Sequence, residues 1–122
     1  MINTDAKINT LLIQSNLQQF TEGDPQFKTE LVLSMIANLN ELRQSIKEAI
    51  ILNPDIYYKT VHKLATTLAV IDDEELSGAL ELLKEHFRNL TPVYNMYPVV
   101  QYLQRRSESI EEVLRNEIGS DL

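Results

Sequence analysis

Polar and apolar residues alternate along this chain with the period of a helix rather than a strand. From Pro25 onward, Phe27, Leu31, Met35, Leu39, Leu42, Ile46 and Ala49 recur at steps of three and four, a single apolar stripe running to about Leu52. The stretch "EGDPQF" sets its start, with Gly23 as a stop, Asp24 as N-cap and Pro25 at the first helical position, where a missing N–H costs nothing. "LNPDI" interrupts the pattern, because the residue before a proline is pushed out of helical geometry. A second helix opens at Pro54 or Asp55, with Tyr57, Val61, Leu64, Leu68 and Ile71 as its stripe. Asp72 or Asp73 caps a third, whose acidic first turn suits the helix dipole and whose stripe is Leu76, Leu80, Leu83, Phe87 and Leu90. "NLTPVYNMYP" reads as a loop. After Pro98, the positions Val99, Leu103, Ile110, Val113, Leu114 and Ile118 describe a last helix ending near Gly119.

Ahead of Gly23, residues from about Asp5 to Phe20 also read as helical, with weaker periodicity. No segment alternates with period two for long enough to make a strand. The expectation is an all-α, antiparallel four-helix bundle whose core helices begin near Asp24, Pro54, Asp72 and Pro98, with an additional N-terminal helical segment. At 122 residues the chain is expected to be one domain, residues 1–122, and a free-standing monomer beginning at its own Met1.

Composition narrows the function. The three Gly and four Pro leave few turns, in keeping with long helices. Zero Cys excludes disulfides, thiolate catalysis and Cys-based zinc sites. A formal charge of −7 argues against nucleic acid, whose phosphates must be met by Lys and Arg. No apolar run approaches the ~18 residues of a membrane span, and "MINTDAK" lacks the basic-then-apolar order of a secretion signal. A cytoplasmic protein with protein partners is expected. The chain has no Gly-rich phosphate loop, nucleotide fingerprint or HExxH motif, and "DDEE" and "SESIEE" read as caps and solvated faces rather than a metal site.

The histidine in "TVHKLATTLAVI" is the residue this pattern singles out. Advancing 100° per residue places His62 roughly 140° from the centre of its helix's apolar face, so its ring is expected in solvent near the middle of the helix. Tyr58 and Lys59 lie one turn before it, Ala65 and Thr66 one turn after, and Ala69 a turn beyond. The surface near the imidazole is therefore expected to be small and partly apolar with one or two cations, which would let another protein approach closely. His86, roughly 70° from its own apolar centre, belongs at the boundary of the core and is assigned no chemistry.

The sequence His62-Lys63-Leu64-Ala65-Thr66 resembles the His-x-Leu-Lys-Gly pattern of histidine-containing phosphotransfer (HPt) domains, matching its histidine and leucine. "TEGDPQFKTEL" is similar to that family's entry into its long second helix, and "DDEEL" opens a further helix where the family has one. The resemblance covers about residues 15 to 118. It implies a phosphorelay intermediate: His62 accepts a phosphoryl group from the phospho-aspartate of a response-regulator receiver domain and passes it to another, a hybrid histidine kinase being a further possible partner. It also implies a carrier with no kinase activity of its own and no cofactor, the Mg²⁺ of the reaction residing on the receiver. Ala65 and Thr66 stand where the family has lysine and glycine. Lys59, Lys63 and Thr66 are accordingly the candidates for stabilising the phosphoryl group, and Tyr58, Ala65, Thr66 and Ala69 for docking a receiver. The alternative reading is an HPt-like adaptor that binds a receiver or kinase domain without transferring phosphate.

Overall fold

Side-chain caps define most of the helix starts. The computed structural model describes residues 7–51, 53–89 and 96–119, with side chains described for all of these except 50 and 51. Among them are six helices and no strand: α1 (Thr10–Thr21), α2 (Pro25–Ile51), α3 (Pro54–Lys63), α4 (Ala65–Ile71), α5 (Glu74–Asn89) and α6 (Tyr97–Ile118). The Asp24 carboxylate accepts from the backbone N–H groups of Gln26 and Phe27 at 3.0 and 3.2 Å. Asn53 and Asp73 do the same for Asp55 and Leu76, at 2.9 and 3.0 Å. Each satisfies donors that a helix start leaves unpaired. Between α1 and α2 the chain turns through two left-handed residues, Glu22 and Gly23 (φ 53° and 77°). A Cβ on Gly23 would lie 2.9 Å from the Gln18 side-chain nitrogen, so both the backbone angle and the space favour glycine.

The N-terminal helix is shorter than its sequence pattern predicts. Lys7–Asn9 are not helical, and Asn9 caps α1 by accepting from the Leu12 N–H at 3.0 Å. Residues 5 and 6 lie outside the described residues, as do Leu52, Leu90 and most of the "NLTPVYNMYP" loop. The helix expected to run unbroken from Pro54 to Ile71 is interrupted at Leu64 (φ −90°, ψ 12°), which separates α3 from α4. The Leu64 N–H is shared between the carbonyls of Thr60 and Val61 at 3.0 and 3.2 Å, a local tightening of the last turn of α3.

The core lies among these helices. It takes Ile13 and Leu17 from α1, Val32, Met35, Leu39, Leu42 and Ile46 from α2, Tyr57 from α3, Leu64 between the two short helices, Leu76 and Leu83 from α5, and Leu103, Ile110, Leu114 and Ile118 from α6. α2 packs on both α3 and α6, α5 packs on α6, and α1 lies against α4 and α2. Most of the expected stripe residues are buried, whereas Val61, Leu68, Leu31 and Val113 are only partly covered. Phe27 departs furthest: it sits in the first turn of α2 and remains 42% exposed. Polar links tie the helices together. Arg43 of α2 donates to Ser107 at 3.1 Å and to Glu111 at 2.6 Å on α6, and also to Asn40. Arg106 of α6 grips Asp73 with two bonds of 2.6 and 2.7 Å, both side chains being nearly buried. No helix among the described residues is long and apolar enough to cross a membrane.

Candidate functional site

α3 is anchored by residues on the side away from His62. Tyr57, 1% exposed, donates its hydroxyl to the Leu80 carbonyl of α5 at 2.6 Å, and its ring meets that of Phe87 at 5.3 Å. Burial above all, with the negative charge of Glu81 and the neighbouring Tyr58 adding to it, pushes the Tyr57 phenol well above its usual range. Two threonines join it on the buried face. Thr60 donates back to the Ile56 carbonyl at 2.9 Å, and Thr67 accepts from Asn38 of α2 at 2.7 Å. With those hydroxyls satisfied, burial costs them little. The buried residues of α3 are therefore Tyr57 and Thr60, continued by Leu64 just past its end, nearly opposite His62 by helical counting.

His62 is exposed. It stands one residue from the end of α3, just ahead of the Leu64 interruption, rather than in mid-helix. Its ring borders a groove of about 620 Å³ between α3 and α5, floored by Tyr57, Tyr58, Val61 and Leu80 and edged by Glu81, Lys84 and Arg88. The volume lies within the range of small-molecule clefts. Tyr58 is half-buried here, its ring edge-on to Phe87 at 6.5 Å and its hydroxyl donating to the Lys84 carbonyl at 3.4 Å. Much of its surface is thus spent on holding α3 to α5.

The other residues singled out from the sequence separate into groups. Ala65 and Thr66 are exposed beyond His62. Ala69 faces away from the α3–α5 groove, lining a shallower one with Asn16, Gln19 and the 48% exposed Phe20 of α1. There Asn16 donates to the Val70 carbonyl at 2.9 Å and so fixes α1 against α4. Lys63 points to α2 and pairs with Glu41 at 3.0 Å, both side chains well exposed. Lys59 is exposed and does not line the His62 groove.

Lys84 and Arg88 were not among the sequence candidates. They stand four residues apart on α5, and only the packing of α3 against α5 brings them beside His62. The sequence signal that could have found them is a basic i, i+4 pair beside the Leu80–Leu83–Phe87 stripe. Arg88 pairs with Glu85 at 3.1 Å. Lys84 is partly buried, and among the described residues no carboxylate oxygen lies within 4.0 Å of its ammonium.

His86, placed at the core boundary by its spacing, is in fact 5% exposed and packs against Phe87 with ring centres 5.5 Å apart. Burial lowers its pKa, which favours the neutral ring. No group of three or more His, Cys, Asp or Glu among the described residues could hold a metal ion. Compared with protein-family models, with curated proteins and with solved structures, the chain matches none.

Proposed function

We propose that this chain is a phosphoryl carrier of the HPt type, with His62 as the acceptor, relaying a phosphoryl group between receiver domains in the cytoplasm. The observation that carries the reading is the exposed His62 ring on a groove whose α5 edge supplies Lys84 and Arg88. We read α2, the α3–α4 pair, α5 and α6 as the four members of a bundle, with α1 as the additional helix. Support comes from the packing of α2 on α3 and α6, of α5 on α6, and from the Tyr57–Leu80 bond joining α3 to α5.

The chemistry asks little of the carrier. A neutral imidazole has a ring nitrogen with a free lone pair. Attack on the phosphorus of a receiver's acyl phosphate forms an N–P bond as the P–O bond to the aspartate breaks, and the carboxylate leaves with the bonding electrons. The onward step reverses these roles with a second receiver. Mg²⁺ bound by the receiver would neutralise the phosphoryl oxygens during both transfers. His62 must be reachable, and cations must lie where the phosphoryl group comes to rest.

The adaptor reading draws on Ala65, which carries no charge where the family has lysine, and on Lys63, which already has Glu41 as a partner. Transfer from a phosphorylated receiver separates the two readings. Acid-labile label should appear on the wild-type chain and not on His62→Gln. Thr66→Arg, one turn from the acceptor, should lose transfer with its circular dichroism unchanged. A labelled His62→Gln, or a wild type that binds receivers but never takes label, would sink the carrier reading.

A further inference from the structure

We infer that Lys84, reaching across from α5, supplies the cation that holds a phosphoryl group on His62. The assignment builds on the carrier reading above. It rests on how α3 and α5 face each other: Tyr57 bonds the Leu80 carbonyl, and Tyr58 bonds the Lys84 carbonyl at 3.4 Å. The backbone of Lys84 is thus held within one tyrosine's length of the turn preceding His62. Its side chain lines the same groove as the imidazole. A four-carbon stem ending in a compact ammonium suits a point contact with phosphoryl oxygens.

The competing cations are less suited. Lys63 faces α2 and is shared with Glu41, and Arg88 is partly neutralised by Glu85 at 3.1 Å. Lys59 does not line the groove. Glu81 edges the groove as well and opposes a phosphoryl group. Its carboxylate forms no ion pair with Lys84 within 4.0 Å, so the ammonium remains available to an incoming anion. Partial burial shields that charge from salt more than full exposure would.

Potassium phosphoramidate tests this without a receiver. It transfers its phosphoryl group to imidazole as its own P–N bond breaks and ammonia leaves, so the label reports on the groove alone. Wild type, Lys84→Gln, Lys84→Arg, Lys63→Gln and His62→Gln would be treated in parallel, the label located by mass spectrometry, and the second ionisation of the phosphoryl group followed by ³¹P NMR. The expected result is label on His62 in every chain except His62→Gln. Removing a cation from the same groove in Lys84→Gln should raise that second pKa by about half a unit, with Lys84→Arg restoring it and Lys63→Gln leaving it unmoved. Identical titrations for wild type and Lys84→Gln, a shift confined to Lys63→Gln, or refusal of His62 to take label would each overturn the assignment. Failure of the carrier reading shows differently: no receiver would label His62, while the Lys84-dependent shift would persist.

Discussion

Replacing Tyr57 by Phe tests the contact that sets α3 against α5, and its effect should depend on pH in a defined way. The substitution keeps the ring contacts with Phe87 and Tyr58, at 5.3 and 5.9 Å, and removes only the 2.6 Å bond to Leu80. The Leu80 carbonyl lies inside α5, where the helical ladder offers it another donor, so no acceptor is orphaned. The loss near neutral pH should therefore be that of one good buried hydrogen bond, about 1 kcal/mol, or roughly 3–5 °C in melting temperature for a chain of this size. Alkali reverses the comparison. Burial first, then Glu81 and Tyr58, raise the folded-state pKa of the phenol above its ordinary 10.0. Above that ordinary value the unfolded chain releases the proton while the folded chain retains it. Wild-type stability should then fall by up to about 1.4 kcal/mol per pH unit, a slope that Tyr57→Phe does not have at this position. Tyr102, also raised chiefly by burial, contributes equally to both chains and cancels. Urea unfolding followed by circular dichroism from pH 8 to 11 should show the wild-type advantage of about 1 kcal/mol closing near pH 11. A gap that stays constant over that range, or no gap at pH 8, would refute the reasoning.

Three ion pairs supply the remaining predictions. Arg106→Ala leaves Asp73 nearly buried without its partner and should cost about 3–5 kcal/mol in urea unfolding. Arg115→Ala, whose side chain is 57% exposed beside Glu111, should cost no more than about 0.5 kcal/mol. Equal losses in the two variants would contradict the burial argument. The Glu111 carboxyl is held below its ordinary 4.5, first by the hydrogen bond from Arg43 and further by Arg115, against the opposing effect of burial. Its contribution to stability is thus complete above the ordinary carboxylate range and lost as pH falls through the lowered folded value. Glu111→Gln should accordingly destabilise at pH 7, with the difference from wild type shrinking by pH 3; a difference that grows in acid would show that the sign is wrong.

What the sequence revealed of the fold was its local chemistry. Asp24 was legible as a cap, and Asp73 as one of two candidates with Asp72, because a short carboxylate ahead of a helical stripe satisfies donors only two or three residues away. The interruption at Leu64 was not, since "HKLATT" contains neither Gly nor Pro and leucine is a strong helix former. Nothing local distinguishes that residue; its backbone angles belong to the packed structure. Thr60 and Thr67 were passed over because they count as polar, yet one bonds its own helix and the other bonds Asn38, and both are buried. Phe27 erred in the other direction. A stripe gives a residue's rotation about the helix axis, but says nothing of where along that axis the neighbouring helix ends.

The same distinction decides what could be read of the site. The exposure of His62 depends on the face its own helix buries, so periodicity was enough to find it. Its electrostatic surroundings depend on which helices lie beside α3, and there sequence distance misled. Lys63, adjacent to His62 in the chain, turns to Glu41 on α2, while Lys84, twenty-two residues away, lines the groove beside the imidazole. On the proposed carrier reading, an alanine at position 65, where the HPt pattern has lysine, therefore does not by itself favour an adaptor. A phosphoryl group responds to the position of a charge in space and not to the helix that bears it, and α5 can supply across the groove what α4 lacks. If that charge proves idle in the titration of a phosphorylated His62, the case for transfer loses its electrostatic support and rests on exposure alone.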